Sequence, residues 1–338
     1  MRAVWIARSG GPEVLEVREG PDPAPGPGQV RVRVKAAGLN FADVMARLGL
    51  YPDAPRPPVV VGYEVAGVVD AAGEGVGAPA PGARVLALVR FGGHADAVVV
   101  PADQALPLPE GMSFEEGAAL PVTYLTAYHA LFGVGHLRPG QSVLVHMAAG
   151  GVGIAVLQLA RTVPGVTVLG TASASKHAAI RAEGCTHPID RTVDYEAEVR
   201  RLTGGRGVDL VLDPLGGADW RKGYRLLAPA GLLVAYGFAN LATGERRSLL
   251  RVLSRLLAAP RFSPLSLMSD NRGVAGVNIG HLWGETALLR ADLEALLDLY
   301  RRGAIRPRID STFPLERAAD AHRRLQGRLN VGKVLLVP

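Results

Sequence analysis

Apolar and polar positions alternate with period two along residues 29–37, QVRVRVKAA, which predicts a half-buried strand. Short apolar runs recur at 59–61, 65–69, 84–89 and 97–100, set off by nearby Gly, Pro or Asp. The intervening segments PDPAPGPG (21–28) and GEGVGAPAPG (73–82) are turn material. Only 40–49 in this region has helical spacing, so residues 1–120 predict an all-β, barrel-like unit. The texture changes near residue 121. Strand patterns at 142–146, 166–171, 188–190, 208–213 and 232–237 alternate with helical patterns at 151–161, 176–183, 195–202 and through 224–227. That alternation predicts βαβ units around a parallel sheet. A further strand is expected at 273–282, helices at 291–302 and 315–325, and a closing strand at 333–337.

Length and composition narrow the class. A chain of 338 residues suits two domains, and 48% hydrophobic with 20% charged residues excludes a largely disordered chain. The single cysteine, Cys185, excludes an intrachain disulfide framework and a Cys-rich zinc module. No run of about 18 apolar residues predicts a membrane span. Residues 1–17, MRAVWIARSGGPEVLEV, lack the pattern of a signal peptide, so the expected address is cytoplasmic. The net charge of +6 comes from an Arg-heavy chain with only four lysines, and aromatic residues are 5%. Without basic–aromatic interleaving no nucleic-acid partner is expected; the positive field instead favours anionic ligands, phosphate-bearing cofactors among them.

The segment 142–162, SVLVHMAAGGVGIAVLQLART, reads as strand, tight turn and helix. A helix N-terminus offers unpaired N–H groups and a partial positive charge, and glycines there let a pyrophosphate approach. The loop Ala149, Gly150, Gly151, Val152, Gly153 fits a dinucleotide fingerprint with Ala148 in place of its first glycine. An NAD site carries Asp or Glu at the end of the next strand, to bind the ribose 2′-hydroxyl. Here 166–176, VTVLGTASASK, has none; Thr171, Ser173, Ser175 and Lys176 stand there instead. Hydroxyls and an ammonium suit a 2′-phosphate, so NADPH is expected over NADH. The plainer alternative is that these residues cap the following helix.

These motifs carry a family resemblance over essentially the whole chain. GLNFADVMARLGLYP (38–52), VVVGYEVAGVV (59–69), GARVLAL (82–88), LPVTYLTAYHAL (120–131), VLVHMAAGGVG (143–153) and VGKVLLVP (331–338) resemble a medium-chain dehydrogenase/reductase. GLNFAD…GLYP with AAGGVG resembles the zinc-independent quinone oxidoreductase group. VHMAAGGVG, GTASASKH, THPIDRTVDY and VDLVLDPLGG resemble the vesicle amine transport (synaptic vesicle membrane) subgroup. The resemblance implies an α/β protein: a GroES-like β-barrel-type domain from residues 1–122 and 288–338, with a Rossmann doubly wound parallel sheet, 123–287, between them. It also implies a homodimer paired through an edge strand near 275–281. Zinc-dependent members hold zinc with Cys, His and Cys or Asp. The matching positions here are Asn40, Tyr63 and Val122, no ligand set for zinc, so no metal is expected. Without a Lewis acid, hydride transfer suits acceptors already electrophilic, a quinone or an α,β-unsaturated carbonyl.

The catalytic candidates are Asn40, Tyr51 and Tyr63. By resemblance Asn40 faces the nicotinamide; Tyr51 could donate to the acceptor oxygen or cover apolar surface; Tyr63 could act there or be a core ring. Thr126 resembles a nicotinamide contact, although a helical hydroxyl bonded to its own backbone is the alternative. Tyr195, Tyr236, Gly237, Phe238, Arg328 and Asn330 resemble further cofactor contacts, each with a plain surface role as its alternative. Residues 244–261, GERRSLLRVLSRLLAAPR, form a basic amphipathic helix with Arg247, Arg251 and Arg255 every four residues and Leu249, Val252, Leu253 and Leu256 on another face. It predicts a packed helix with solvated arginines, a lid over an apolar substrate, or a peripheral membrane contact. Two functions stay open: an NADPH-dependent reductase, or an NADPH-binding protein acting chiefly at a lipid or membrane surface with a vestigial reductase site.

Overall fold

The computed structural model describes residues 1–242 and 244–338. Its first sheet has seven strands and the second six. In the first, Gln29–Leu39 is the hub. It pairs antiparallel with Glu64–Ala72, Ala97–Pro101 and Lys333–Val337. Val30, Val32 and Val34 are buried between half-exposed neighbours, as the alternating pattern requires; from Ala36 to Leu39 both faces are covered. Arg84–Leu88 and Ala105–Pro107 extend one side of this sheet, and Ile309–Pro314 lies beyond Lys333–Val337 on the other. A small sheet of Leu15–Glu19, Arg2–Ile6 and Val59–Val60 stands beside it. The last 30 residues thus complete a sheet begun by the first 110.

The second sheet is parallel throughout. Across it lie His187–Asp190, Thr167–Ala172, Ser142–Val145, Val208–Asp213, Leu227–Ala235 and Gly273–Gly276. Numbered along the chain this is the order 3-2-1-4-5-6, a doubly wound Rossmann sheet whose order reverses beside Ser142–Val145. Val143, Leu144 and Val145 are fully buried because helices cover both faces.

Three expectations change. Residues 273–282 do not form one strand: pairing stops at Gly276, and Asn278 opens a 3-10 turn, Ile279–Leu282, by accepting from Gly280 N at 3.0 Å. Val277 and Ile279 are buried, and His281 Nε2 lies 2.9 Å from Asp53 Oδ2, so this stretch folds back over the first unit. The edge strand at this end of the sheet is therefore Gly273–Gly276 rather than 275–281. A short helix, Phe114–Ala119, joins the two units where only strands were expected, its start fixed by a reciprocal Ser113–Glu116 capping box. Finally, the expected cut at 288 falls inside a helix, Thr286–Arg301. Its Leu289, Leu293, Leu296 and Leu297 are buried in one core with Tyr124, Val145 and Ile154.

Candidate active site

The nucleotide loop forms because strand and helix approach too closely for side chains. A Cβ on Gly153 would lie 2.5 Å from Met147 O and 2.6 Å from Ala148 C, both backbone atoms. On Gly151 it would meet Thr123 Cγ2 at 2.9 Å. Gly150 caps the helix Gly151–Ala160, leaving the first-turn N–H groups directed outward. The left-handed turn residue is Met147, with φ of 54°. Ala148 is buried and donates to Thr171 O at 3.0 Å. The C-terminal tail clips onto this loop: Gly332 N donates to Ala149 O at 2.9 Å, and Gly150 and Gly332 form an isolated parallel bridge.

At the end of Thr167–Ala172 the candidate residues separate into two sets. Thr171 is buried; its hydroxyl accepts from Met147 N at 3.3 Å and meets His146 Nδ1 at 3.2 Å. Ser173 lies at the surface and accepts from Arg191 Nε at 3.1 Å. Lys176 Nζ donates to Arg328 O and Asn330 O, both at 2.7 Å. Burial, and secondly Arg191, hold the Arg328 guanidinium below its usual range; Arg191 also acts on Lys176, whose pKa burial lowers. Three cations, Lys176, Arg191 and Arg328, thus act on one another here, with Asp310 acting on Lys176 and Asp219 on Arg328, while 166–176 itself carries no carboxylate. Asn330, itself buried, donates to Gly332 O at 2.7 Å and shapes the tail loop.

Across the sheet's reversal point, Tyr195 donates to Asp219 Oδ1 at 3.1 Å and sets its ring edge-on to His146 at 4.9 Å. Asn240 Nδ2 holds the other Asp219 oxygen at 2.9 Å, and Arg328 reaches Asn240 Oδ1 at 3.5 Å. Tyr236 N donates to Asp213 O at 3.1 Å, Gly237 is exposed, and Phe238 stacks on Trp220 at 5.0 Å. A Cβ on Gly216 would enter the Phe238 ring at 1.7 Å, so glycine is required beneath it.

The opposite end is built around Asn40, which precedes the helix Phe41–Arg47 and is 9% exposed. Its Nδ2 donates to Glu64 Oε1 at 2.9 Å, and its Oδ1 accepts from Lys333 Nζ at 2.6 Å. Lys333 also donates to Glu64 Oε1, and Glu64 Oε2 accepts from Val122 N at 2.7 Å. Asn40 N and Gly62 N donate to Asp43 at 2.7 and 3.0 Å, fixing the turn before Tyr63. Tyr63 is buried, edge-on to Tyr51 at 6.3 Å and 5.5 Å from Phe91. Its hydroxyl has no partner among the described residues, and burial pushes its pKa up. Burial likewise pushes the half-buried Tyr51 phenol up to about 12. Thr126 donates to Val122 O at 2.7 Å, the helical alternative weighed above.

Among the described residues no group of three or more His, Cys, Asp or Glu side chains converges on one point. Cys185 is buried and its thiol is pushed up to about 11, in keeping with an inert packing role.

Residues 26–110 match the alcohol dehydrogenase GroES-like domain family, and 184–336 match the zinc-binding dehydrogenase family. A synaptic vesicle membrane protein VAT-1 homolog of Danio rerio is 52% identical over 99% of this chain and 69% of its own length. The chain belongs to the medium-chain dehydrogenase/reductase family, in its quinone oxidoreductase-like, VAT-1-related group. The crystal structure of a human VAT-1 homolog-like protein superposes with a TM-score of 0.87 at 39% identity, covering 100% of this chain and 98% of that one. The Escherichia coli quinone oxidoreductase complexed with NADPH gives 0.89 at 29% identity, with both chains fully covered.

For this medium-chain dehydrogenase/reductase, sequence reasoning missed three site residues: Glu64, Arg191 and Lys333. The first and last had a signal. Lys333 is the one charge of the strand Lys333–Val337, and Glu64 opens the apolar run EVAGVV; a charge so placed is buried only with a partner. Arg191 follows the short strand His187–Asp190 and nothing local marks it.

Proposed function

We propose that this protein is a zinc-independent, NADPH-dependent reductase acting on a small quinone or α,β-unsaturated carbonyl acceptor. The observation that carries the reading is a join. The tail that holds Lys176 and clips the glycine loop also supplies Lys333 to the Asn40 amide, so nucleotide site and acceptor site share one segment. The loop 149–153 would hold the pyrophosphate, and Ser173, Lys176, Arg191 and Arg328 the ribose phosphate. When bound, NADPH supplies a hydride. The chain's own part is positioning and charge. Asn40 would offer an N–H to an oxygen that gains negative charge, and Tyr51, whose phenol keeps its proton through neutral pH, would be the proton donor. Asn40, Tyr63 and Val122 at the positions where zinc-dependent relatives bind metal support chemistry without zinc. Steady-state NADPH oxidation with a panel of quinones and enones tests this; saturable turnover supports it, and absence of turnover with every acceptor contradicts it.

A second role is favoured by one surface. In the helix Leu249–Ala258, Val252 alone of the described apolar side chains from the expected face packs inward, against the cluster of Val44, Met45, Leu48 and Leu241. Leu250, Leu253, Leu256 and Leu257 are 83%, 55%, 51% and 75% exposed, and Leu265 and Met268 of the next helix, Pro264–Asp270, extend the ridge. Arg247 is exposed and Arg255 half-buried; the side chains of Leu249 and Arg251 lie outside the described residues. Contiguous exposed leucines flanked by arginines suit peripheral contact with an anionic lipid surface. Among the described residues no helix is long and apolar enough to cross a membrane. The proposed address is the cytoplasm, the proposed assembly a homodimer through Gly273–Gly276. Salt-sensitive flotation with anionic vesicles supports the lipid contact, and none at low salt contradicts it.

A further inference from the structure

Asn40 has an amide whose two ends look alike in shape and opposite in chemistry. Its surroundings decide between them. Lys333, 4% exposed, has only donors, and Glu64, fully buried, has only acceptors when ionised. With Oδ1 toward Lys333 (2.6 Å) and Nδ2 toward Glu64 (2.9 Å), both contacts are hydrogen bonds to a charged group. Flipped, the ammonium would face an NH2 and the carboxylate a C=O, two repulsive contacts in a site that excludes water. The pair is held in turn. Val122 N occupies the second Glu64 oxygen, and Gly38 leaves room for the carboxylate, since a Cβ there would lie 2.3 Å from Glu64 Oε1. Lys333 follows Gly332, which is fastened to Ala149 of the nucleotide loop. The Lys333 stem also passes Gly151, where a Cβ would be 3.7 Å from its Cδ.

We infer that Glu64 and Lys333 are positioning residues that lock the Asn40 amide in one orientation, its second N–H directed to the acceptor. The consequence is chemical selectivity. One N–H and one Oδ1 lone pair stay uncommitted, and the ammonium bound at Oδ1 weakens that oxygen as an acceptor, so the free N–H favours an oxygen that gains negative charge. This inference rests on the reductase reading above.

The test is a cycle of variants. The double change E64Q/K333M removes both charges together, so neither is left buried alone. Three quantities are measured for wild type, N40A, E64Q/K333M and the triple variant: thermal midpoint, NADPH affinity with the emission of bound NADPH, and kcat with KM for a quinone. The expected result is a folded double variant that binds NADPH within about threefold of wild type. Its kcat falls at least about tenfold, which is 1.4 kcal/mol, and N40A added to it changes kcat less than about twofold. E64Q alone leaves the Lys333 ammonium without its carboxylate, so its thermal midpoint is read first; where it folds, it is expected to lower kcat with NADPH affinity unchanged. The inference is overturned if the double variant keeps wild-type kcat while N40A loses it. It is overturned equally if N40A has its full effect in the double variant, or if either charge variant loses NADPH binding. Should wild type turn over no acceptor, the reductase reading fails by itself. The emission of bound NADPH then decides: altered alike in double and triple variants supports the lock, and unchanged from wild type overturns it.

Discussion

Asn40 is the residue on which the proposed chemistry turns, and its partners make its loss readable. Removing the amide leaves Glu64 and Lys333 still paired, so Asn40→Ala should fold and bind NADPH while kcat falls about tenfold or more; steady-state kinetics beside a melting curve checks this. In the proposed mechanism Tyr51 sets the pH behaviour. Its phenol is raised to about 12, so as a donor it stays protonated well past pH 9. The rate profile should stay flat on the alkaline side to about pH 10, where an unperturbed tyrosine titrates, and Tyr51→Phe should lower kcat across that plateau. Acid stability is governed elsewhere. His322 is fully buried with neither ring nitrogen partnered among the described residues, and burial, then Arg47 and His94, drive its pKa well below 6.5. Below pH 6.5 the unfolded chain takes up a proton that the folded protein refuses, so stability is complete above that pH and is lost as pH falls. Replacing His322 with Leu should reduce the drop in thermal midpoint between pH 7 and 5.5. An equal drop in both proteins would remove His322 from the explanation.

At the scale of elements, the nucleotide loop was legible because everything it needs is local: a four-residue apolar strand, three glycines and a ten-residue helix in consecutive sequence. Its geometry makes a sharp contrast. At Gly153 a methyl group would meet backbone at 2.5 Å, whereas at Gly150 the nearest atom would be Met147 O at 3.3 Å. Gly153→Ala should therefore cost about 1–3 kcal/mol of stability and most NADPH affinity, with Gly150→Ala milder in both. The strand expected over 273–282 shows what periodicity cannot carry. GVAGVNIGHL is apolar enough for ten residues of strand, but Asn278 captures Gly280 N and turns the chain toward Tyr51. The basic helix was legible as amphipathic, but not in which leucines would find a core. Leu253 and Leu257 are exposed and should be replaceable by Ser together at a cost near zero, within about 0.5 kcal/mol each. The same double change should abolish vesicle flotation if the ridge meets lipid.

At the scale of the whole molecule, the main fact is that residue 333 works beside residues 40 and 64. The family resemblance implied a tail that returns to the first domain, and the sheet order has Lys333–Val337 beside Gln29–Leu39. Composition and spacing could not reveal the ion pair, because its members stand 269 positions apart in the chain. Arg191 escaped for a similar reason, donating to Ser173 Oγ only once the parallel sheet sets His187–Asp190 beside Thr167–Ala172. The second sheet has two edge strands, His187–Asp190 and Gly273–Gly276, and the proposed homodimer pairs through the latter, whose backbone groups can take a partner. Light scattering at micromolar concentration should give twice the 35.4 kDa chain mass. The central claim, a nucleotide with a ribose phosphate lying over this sheet, is tested most directly by calorimetric titration with NADPH and NADH in the same buffer. NADPH should bind one per chain and at least about tenfold more tightly, a difference of 1.4 kcal/mol or more; equal affinities, or no heat with either, would contradict it.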